Sequence, residues 1–158
     1  MTGQLVLSTL HAEDSIGALF RILDLGIETY LLNSSLTGII SQRLIRKVCS
    51  DCREEYVPSQ DEADIFQKVL GHVPERLTRG RGCPTCQNLA YKGRTGIFEV
   101  LKMDARIRGL IRSKANEDIL RDTLVREGFI TLLRDGLEKA REGVTTVEEV
   151  LRNSLKIV

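Results

Sequence analysis

No apolar run in the chain approaches the roughly 20 residues a helix needs to span a bilayer, and the N-terminus carries no secretory signal peptide, so the sequence reads as cytosolic and without a membrane anchor. Charge of one sign is missing too. Lysine and arginine number 23 against 22 acidic residues, a net +1, and such a balance suggests neither a polyanion nor an anionic membrane surface as partner. Aromatic residues are 4% of the chain and tryptophan is absent. Beside the basic residues Arg76, Arg79, Arg81, Lys92 and Arg94 only Tyr56 and Tyr91 offer a ring for a base to stack on, which is thin for a nucleic-acid binder. There is no internal repeat and no low-complexity tract. At 158 residues the chain can bury one good core or two modest ones.

Cysteine is scarce but concentrated. All four stand in two pairs, Cys49-Ser50-Asp51-Cys52 and Cys83-Pro84-Thr85-Cys86, with none left over. In each CxxC turn the two-residue gap lets both sulfurs point the same way, and four thiolates complete a tetrahedron around Zn²⁺ at about 2.3 Å per bond. Two disulfides, a redox dithiol and an iron–sulfur cluster are the competing readings. A reducing cytosol disfavours disulfides, and a thioredoxin-like motif needs only one pair. The gap from Arg53 to Gly82 exceeds the usual ribbon spacing of about 15 to 20 residues. An inserted helix explains it: Ser59-Gln60-Asp61-Glu62 is a capping box, Ile65, Phe66, Val69 and Leu70 follow at helical spacing, and Gly71 can end the run. Four protein ligands leave no open position, so the metal is expected to clamp rather than to catalyse.

Along the rest of the chain, Leu5-Val6-Leu7 reads as a buried, parallel strand ending in the loop Ser8-Thr9-Leu10-His11. Asp14 is an N-cap for a helix with Ile16, Leu19, Phe20 and Leu23 on one face and Gly26 at its end. His11, between a strand end and a helix start, stands where a phosphate oxygen could be met, although taken alone a loop histidine bonding its own backbone is the plainer reading. A second helix is expected over 29–40, with Leu32, Leu36, Ile39 and Ile40 inward. The stretch 42–48 fits a strand or a helix end, and Arg43, Arg46 and Lys47 would extend the basic edge, for which the plainer reading is a solvated, mixed-charge surface. After the second cysteine pair, Tyr91 to Gly96 reads as a turn and Ile97 to Leu101 as a strand with Glu99 outward. Caps at Asp104, Asn116 and Thr131, and a capping box Thr145-Thr146-Val147-Glu148, predict four helices that close the chain as a small bundle.

Taken in order, Thr2-Gly3 through Ser8-Thr9-Leu10-His11 with Asp14, Gln42-Arg43-Leu44 before the first CxxC, the second CxxC with Tyr91-Lys92-Gly93-Arg94-Thr95-Gly96-Ile97-Phe98-Glu99, and Gly143-Val144-Thr145-Thr146-Val147-Glu148-Glu149-Val150-Leu151 resemble the C-terminal portion of the bacterial ATPases that power type II secretion and type IV pilus assembly. The resemblance implies an α/β fold: 1–48 as the last strands and helices of a RecA-like P-loop core, 49–86 as a tetracysteine zinc module on Cys49, Cys52, Cys83 and Cys86, and 87–158 as a returning strand with a helical subdomain. It implies a hexameric ATPase using ATP and Mg²⁺ at the cytoplasmic face of the inner membrane, acting on a platform protein there, with His11 near the γ-phosphate as the catalytic histidine. Ala12 and Glu13 replace the Thr-Asn pair common in that histidine box, and Leu89-Ala90 replaces a usual Thr-Gly, which implies a different turn before Tyr91. No GxxxxGK[ST] phosphate loop and no Walker B strand occur, so the chain reads as a fragment that is inactive on its own. The alternative is a zinc-ribbon nucleic-acid binder built on the basic residues.

Overall fold

A computed structural model of the chain describes residues 3–113 and 115–154. Its elements run α1 (Ser15–Asp24), α2 (Thr29–Ser35), β1 (Gly38–Val48), β2 (Arg53–Tyr56), α3 (Gln60–Leu70), β3 (Leu77–Gly80), β4 (Tyr91–Lys102), α4 (Ala105–Arg112), α5 (Glu117–Arg126), α6 (Leu132–Arg141) and α7 (Val147–Ser154), a mixed α/β arrangement. β1 pairs with β4, and β2 with β3. The chain divides into two compact units, one drawn from Met1–Ser41 and Val100–Gly128, the other from Gln42–Glu99 and Phe129–Val158.

In the first unit α1 packs on α5, and α2 on α4. The helix starts are set by the expected caps. The Asp14 carboxylate accepts the Gly17 N–H at 2.7 Å, Asp104 accepts that of Ile107 at 2.8 Å, and Asn116 that of Ile119 at 2.8 Å. Asp14 has a second task, because the Arg121 guanidinium from α5 lies 2.8 Å from its Oδ2 while also holding Glu117 at 2.7 Å. Burial opposes ionisation of Asp14, but the hydrogen bond from Arg121 and the Gly17 amide outweigh it and hold the carboxyl below its ordinary range. Ile16, Leu19, Leu32, Leu101, Ile107, Leu120 and Leu124 are buried.

Two expectations fail in this unit. Leu5, Val6 and Leu7 form no strand and are 79–88% exposed. A parallel strand is stable only as part of a sheet covered on both faces, and among the described residues no strand pairs with this segment. The second helix stops at Ser35, and Gly38, Ile39 and Ile40 open β1 instead, with Ile40 exposed. Gly38 favours that outcome: a Cβ there would stand 3.0 Å from the Leu101 carbonyl oxygen, so β4 approaches more closely than a side chain would comfortably allow.

The second unit is built around a core of Ile45, Phe66, Leu77, Ile97, Leu137, Val147 and Val150, with Leu132 and Ala140. β2 and β3 are antiparallel in the register Arg53↔Gly80 to Tyr56↔Leu77. Between them α3 carries the complete capping box of Ser59 and Glu62 and ends at Gly71 in the left-handed region, φ 80°. Its Phe66 is fully buried, and α3 packs on α6. α6 and α7 pack closely at Gly136, where a Cβ would lie 2.5 Å from a Val150 methyl.

β4 corrects the sequence reading twice. Tyr91 to Gly96 is strand rather than turn. Ile97, Glu99 and Leu101 face inward while Phe98 and Val100 face out, so Glu99 is buried, not outward as the alternation suggested. Its carboxylate accepts the Leu132 N–H at 3.2 Å, at the first residue of α6, where the helix dipole favours a negative charge. The last cap also moves by one residue. Thr146, not Thr145, accepts the Glu149 N–H at 3.2 Å, and the Thr145 hydroxyl donates to the Arg46 carbonyl at 2.8 Å.

Candidate metal centre

Four segments bring the cysteines together. β1 delivers Cys49 directly after Val48. The turn to Cys52 is closed by its N–H donating to the Cys49 carbonyl at 3.4 Å, and β2 leaves at once. β3 returns alongside, the Arg81 N–H donating to the Cys52 carbonyl at 3.0 Å, and a 3-10 turn over Pro84–Cys86 sets the last pair. The ladder between β2 and β3 thus brings residue 82 back beside residue 52, and a 30-residue excursion costs the site little in closure entropy.

The four sulfurs lie within 4.8 Å of one another. Cys49 and Cys83 are 3.9 Å apart, Cys52 and Cys86 3.8 Å, and Cys83 and Cys86 3.7 Å. Four metal–sulfur bonds of about 2.3 Å in a regular tetrahedron put neighbouring sulfurs about 3.8 Å apart, so these three spacings would suit the coordination shell of one ion. All four cysteines are free thiols, at nearly twice the disulfide bond length of about 2.05 Å, which removes the disulfide reading. Cys49, Cys52 and Cys86 are buried and Cys83 is half-buried.

Ligation requires thiolates, and the environment sorts the sulfurs. Burial pushes the Cys52 thiol up to about 11. At Cys86 burial works the same way, but the N–H groups of Cys83 and Ala90 and the Cys83 thiol outweigh it and bring Cys86 down to about 7. The Cys83 N–H donates to the Cys86 sulfur at 3.2 Å. Four protein sulfurs fill a tetrahedron, so the set can hold an ion and tie the turns together, with no position left for water or substrate.

The chain leaves the second pair through an unusual turn. Gln87, Asn88 and Ala90 all have positive φ, 53°, 60° and 67°. The Ala90 carbonyl accepts the Cys49 N–H at 3.0 Å, so this turn also braces the first cysteine. Gly80 makes room for it: a Cβ there would fall 2.3 Å from the Ala90 oxygen.

His11 belongs to the other compact unit, on exposed coil ahead of the Asp14 cap. Four residues of the basic edge are paired with carboxylates. Arg79 and Arg81 both reach Glu54, at 2.9 and 3.3 Å, Arg76 lies 3.9 Å from Glu55, and Arg46 is bound to Glu149. Sequence reasoning missed that last pair. Glu149 is buried and takes the Arg46 guanidinium on its Oε2 at 2.6 and 2.9 Å, while Arg46 stacks 4.1 Å from the centre of the Tyr91 ring. No spacing rule links residues 103 apart; the only hint was an acidic residue at the third position of a helix, three residues after its Thr146 cap.

The fold and site define a mixed α/β chain with a closed tetrasulfur centre on an inserted, helix-bearing loop. The model of the Type II/IV secretion system protein family matches residues 1–152, and the chain belongs to that family. It is 41% identical over 152 residues to the Type II secretion system ATPase E of Vibrio cholerae and 43% identical over 152 residues to the Type II secretion system protein E of Pseudomonas aeruginosa, covering 96% of this chain and 30% of each relative. Against the Type IV pilus assembly ATPase PilB of Thermus thermophilus identity is 36% over 157 residues, 99% of this chain and 18% of the relative. The chain therefore spans less than a third of these relatives. Among the described residues no helix is long and apolar enough to cross a membrane.

Proposed function

We propose that this chain is the C-terminal part of a hexameric ATPase that powers type II protein secretion or type IV pilus assembly, and that its four cysteines hold one structural Zn²⁺. The observation that carries the reading is the family match over residues 1–152 together with four sulfurs spaced as a tetrahedral coordination shell. Residues 1–48 supply the end of a RecA-like P-loop core, 49–86 the zinc module and 87–158 the returning strand and helical subdomain. Cys49, Cys52, Cys83 and Cys86 would hold the ion, which supplies a rigid cross-link to the loop and no chemistry. His11 is the catalytic residue, facing the γ-phosphate of ATP–Mg²⁺ once the phosphate loop is supplied by the rest of the motor, at the cytoplasmic face of the inner membrane and against its platform protein. By itself the chain, which has no phosphate loop, turns over no ATP.

The pairing of Arg79 and Arg81 with Glu54, and of Arg76 with Glu55, leaves these arginines with only one net positive charge between them, which favours the motor over the nucleic-acid reading. The test has two parts. Elemental analysis of chain purified without chelator is expected to give one zinc per chain. Joined in frame to a phosphate-loop half, His11→Ala is expected to lower ATP turnover far more than nucleotide affinity; equal losses in both, or ATP turnover by the isolated chain that His11→Ala abolishes, would overturn the assignment of His11 and of the missing cradle.

A further inference from the structure

The Gly143–Leu151 stretch is a motif that neither ATP chemistry nor metal ligation accounts for, yet the structure ties it to the metal centre bond by bond. The Val48 N–H donates to the Val144 carbonyl at 3.0 Å, immediately before Cys49, whose own N–H donates to the Ala90 carbonyl at 3.0 Å. The first ligand is therefore gripped through two adjacent amides, by the segment leading into α7 and by the segment leading into Tyr91. Those two segments are joined to each other. The Tyr91 hydroxyl lies 2.8 Å from the Thr146 hydroxyl, which accepts the Glu149 N–H, and Glu149 accepts both the Arg46 amide, at 3.0 Å, and its guanidinium. Arg46, stacked on Tyr91, closes the ring two residues before Val48.

We propose that Arg46, Tyr91, Thr146 and Glu149 are positioning residues for the Cys49 thiolate, so that the hold of the centre on its ion is set by the N-terminal turn of α7, 103 residues from its partner strand in sequence. This rests on the metal reading of the four cysteines. The ring is closed by hydrogen bonds between the Tyr91 and Thr146 hydroxyls, from the Glu149 amide to Thr146 and from Arg46 to the Glu149 carboxylate, and by the stacking of Arg46 on Tyr91. Opening it at any one member frees the Val144 and Ala90 carbonyls to move apart, and the Cys49 sulfur moves with its backbone. Groups bonded directly to a ligand change metal affinity by roughly 10- to 100-fold, and these residues, which act through the backbone on either side of Cys49, are expected at the low end of that range. Coupling of this kind is reciprocal, so the ion must in turn protect α7.

The experiment uses the whole 158-residue chain loaded with zinc chloride. Transfer of zinc to a chromogenic chelator is followed for the wild type, Glu149→Gln, Tyr91→Phe, which removes one hydroxyl from a ring that still packs, and Val150→Ala, which weakens the α6–α7 contact without touching the circuit. Hydrogen exchange over 144–152 is compared with and without zinc. Zinc transfer about 10-fold faster in Glu149→Gln, a smaller rise in Tyr91→Phe, little change in Val150→Ala, and zinc-dependent protection of 144–152 that Glu149→Gln abolishes are expected. Stoichiometric zinc with unchanged transfer in Glu149→Gln and Tyr91→Phe, or Val150→Ala matching Glu149→Gln, overturns the positioning role alone. No zinc bound by the wild type overturns the metal reading and the inference with it.

Discussion

Replacing Gly80 by alanine tests how tightly the inserted loop is tied to the cysteine cluster. The new methyl carbon would arrive 2.3 Å from the Ala90 carbonyl oxygen and 2.9 Å from both Ala90 Cα and Cβ, distances that van der Waals radii forbid, and the nearest atom is backbone. No rotamer relieves such a clash, so β3 or the turn at residues 87–90 has to shift. Overpacking of this kind costs about 1–3 kcal/mol. The displaced oxygen also accepts the Cys49 N–H, and losing that bond adds about 1 kcal/mol, for a total of roughly 2–4 kcal/mol. In calorimetry of the zinc-loaded chain that amounts to a melting temperature lower by about 6–12 °C. The companion change Ala90→Gly removes a methyl group held at φ 67°, relieving about 1 kcal/mol of strain while loosening the unfolded chain by a similar amount, and is expected to be nearly neutral. The double variant should regain less than half of the loss, because the closest contact is to the carbonyl and not to the methyl. A Gly80→Ala protein melting within a degree of the wild type, or full rescue in the double variant, would refute the reasoning.

Cys83→Ser is expected to release the ion and unfold the segment 49–86 while α4 and α5, in the other unit, keep their hydrogen-exchange protection; elemental analysis and exchange mass spectrometry read the two effects. Asp14→Asn keeps the helix cap but breaks the pair with Arg121, at a cost of about 1 kcal/mol for a half-buried charge pair. Because the folded Asp14 carboxyl is held below its ordinary value, that stabilisation is complete above the carboxylate range of about 3.9 and is lost as pH falls through the folded value. The gap between wild-type and variant urea midpoints should therefore be widest near neutrality and close in acid. Glu99→Ala leaves the first amide of α6 without its carboxylate and opens a small void, an expected loss of about 2–4 kcal/mol in chemical denaturation, with Glu99→Gln losing markedly less.

What could be read in the sequence was whatever obeys short spacing rules. The CxxC pairs, the Ser59–Glu62 box, the Gly71 stop and the caps at Asp14, Asp104, Asn116 and Thr131 each involve residues three or four apart, and each appears as expected. Failures came where a distant neighbour decides. Glu99 looked outward because a carboxylate in an apolar alternation usually is, and only the arrival of α6 gives it a buried amide to accept. Ile39 and Ile40 fit a helix face until Leu101 approaches Gly38 and fixes strand geometry there. Leu5 to Leu7 has the composition of a strand, but composition cannot supply the neighbours a parallel strand requires. Arg76, Arg79 and Arg81 do form an exposed, mixed-charge surface, and what the sequence could not show is which acidic residues they meet, Glu54 and Glu55.

The meeting of residue 53 with residue 80 across the β2–β3 ladder has a bearing on how such a chain can diversify. Since the excursion leaves and re-enters at one point and its far bend, Gly71 to Val73, faces solvent, extra sequence spliced into that bend would alter neither the distance between the cysteine pairs nor the seating of Phe66. A reporter or an entire foreign domain grafted there would travel with the chain as a passenger, and natural variants are free to lengthen or trim this tip while everything behind it stays unchanged.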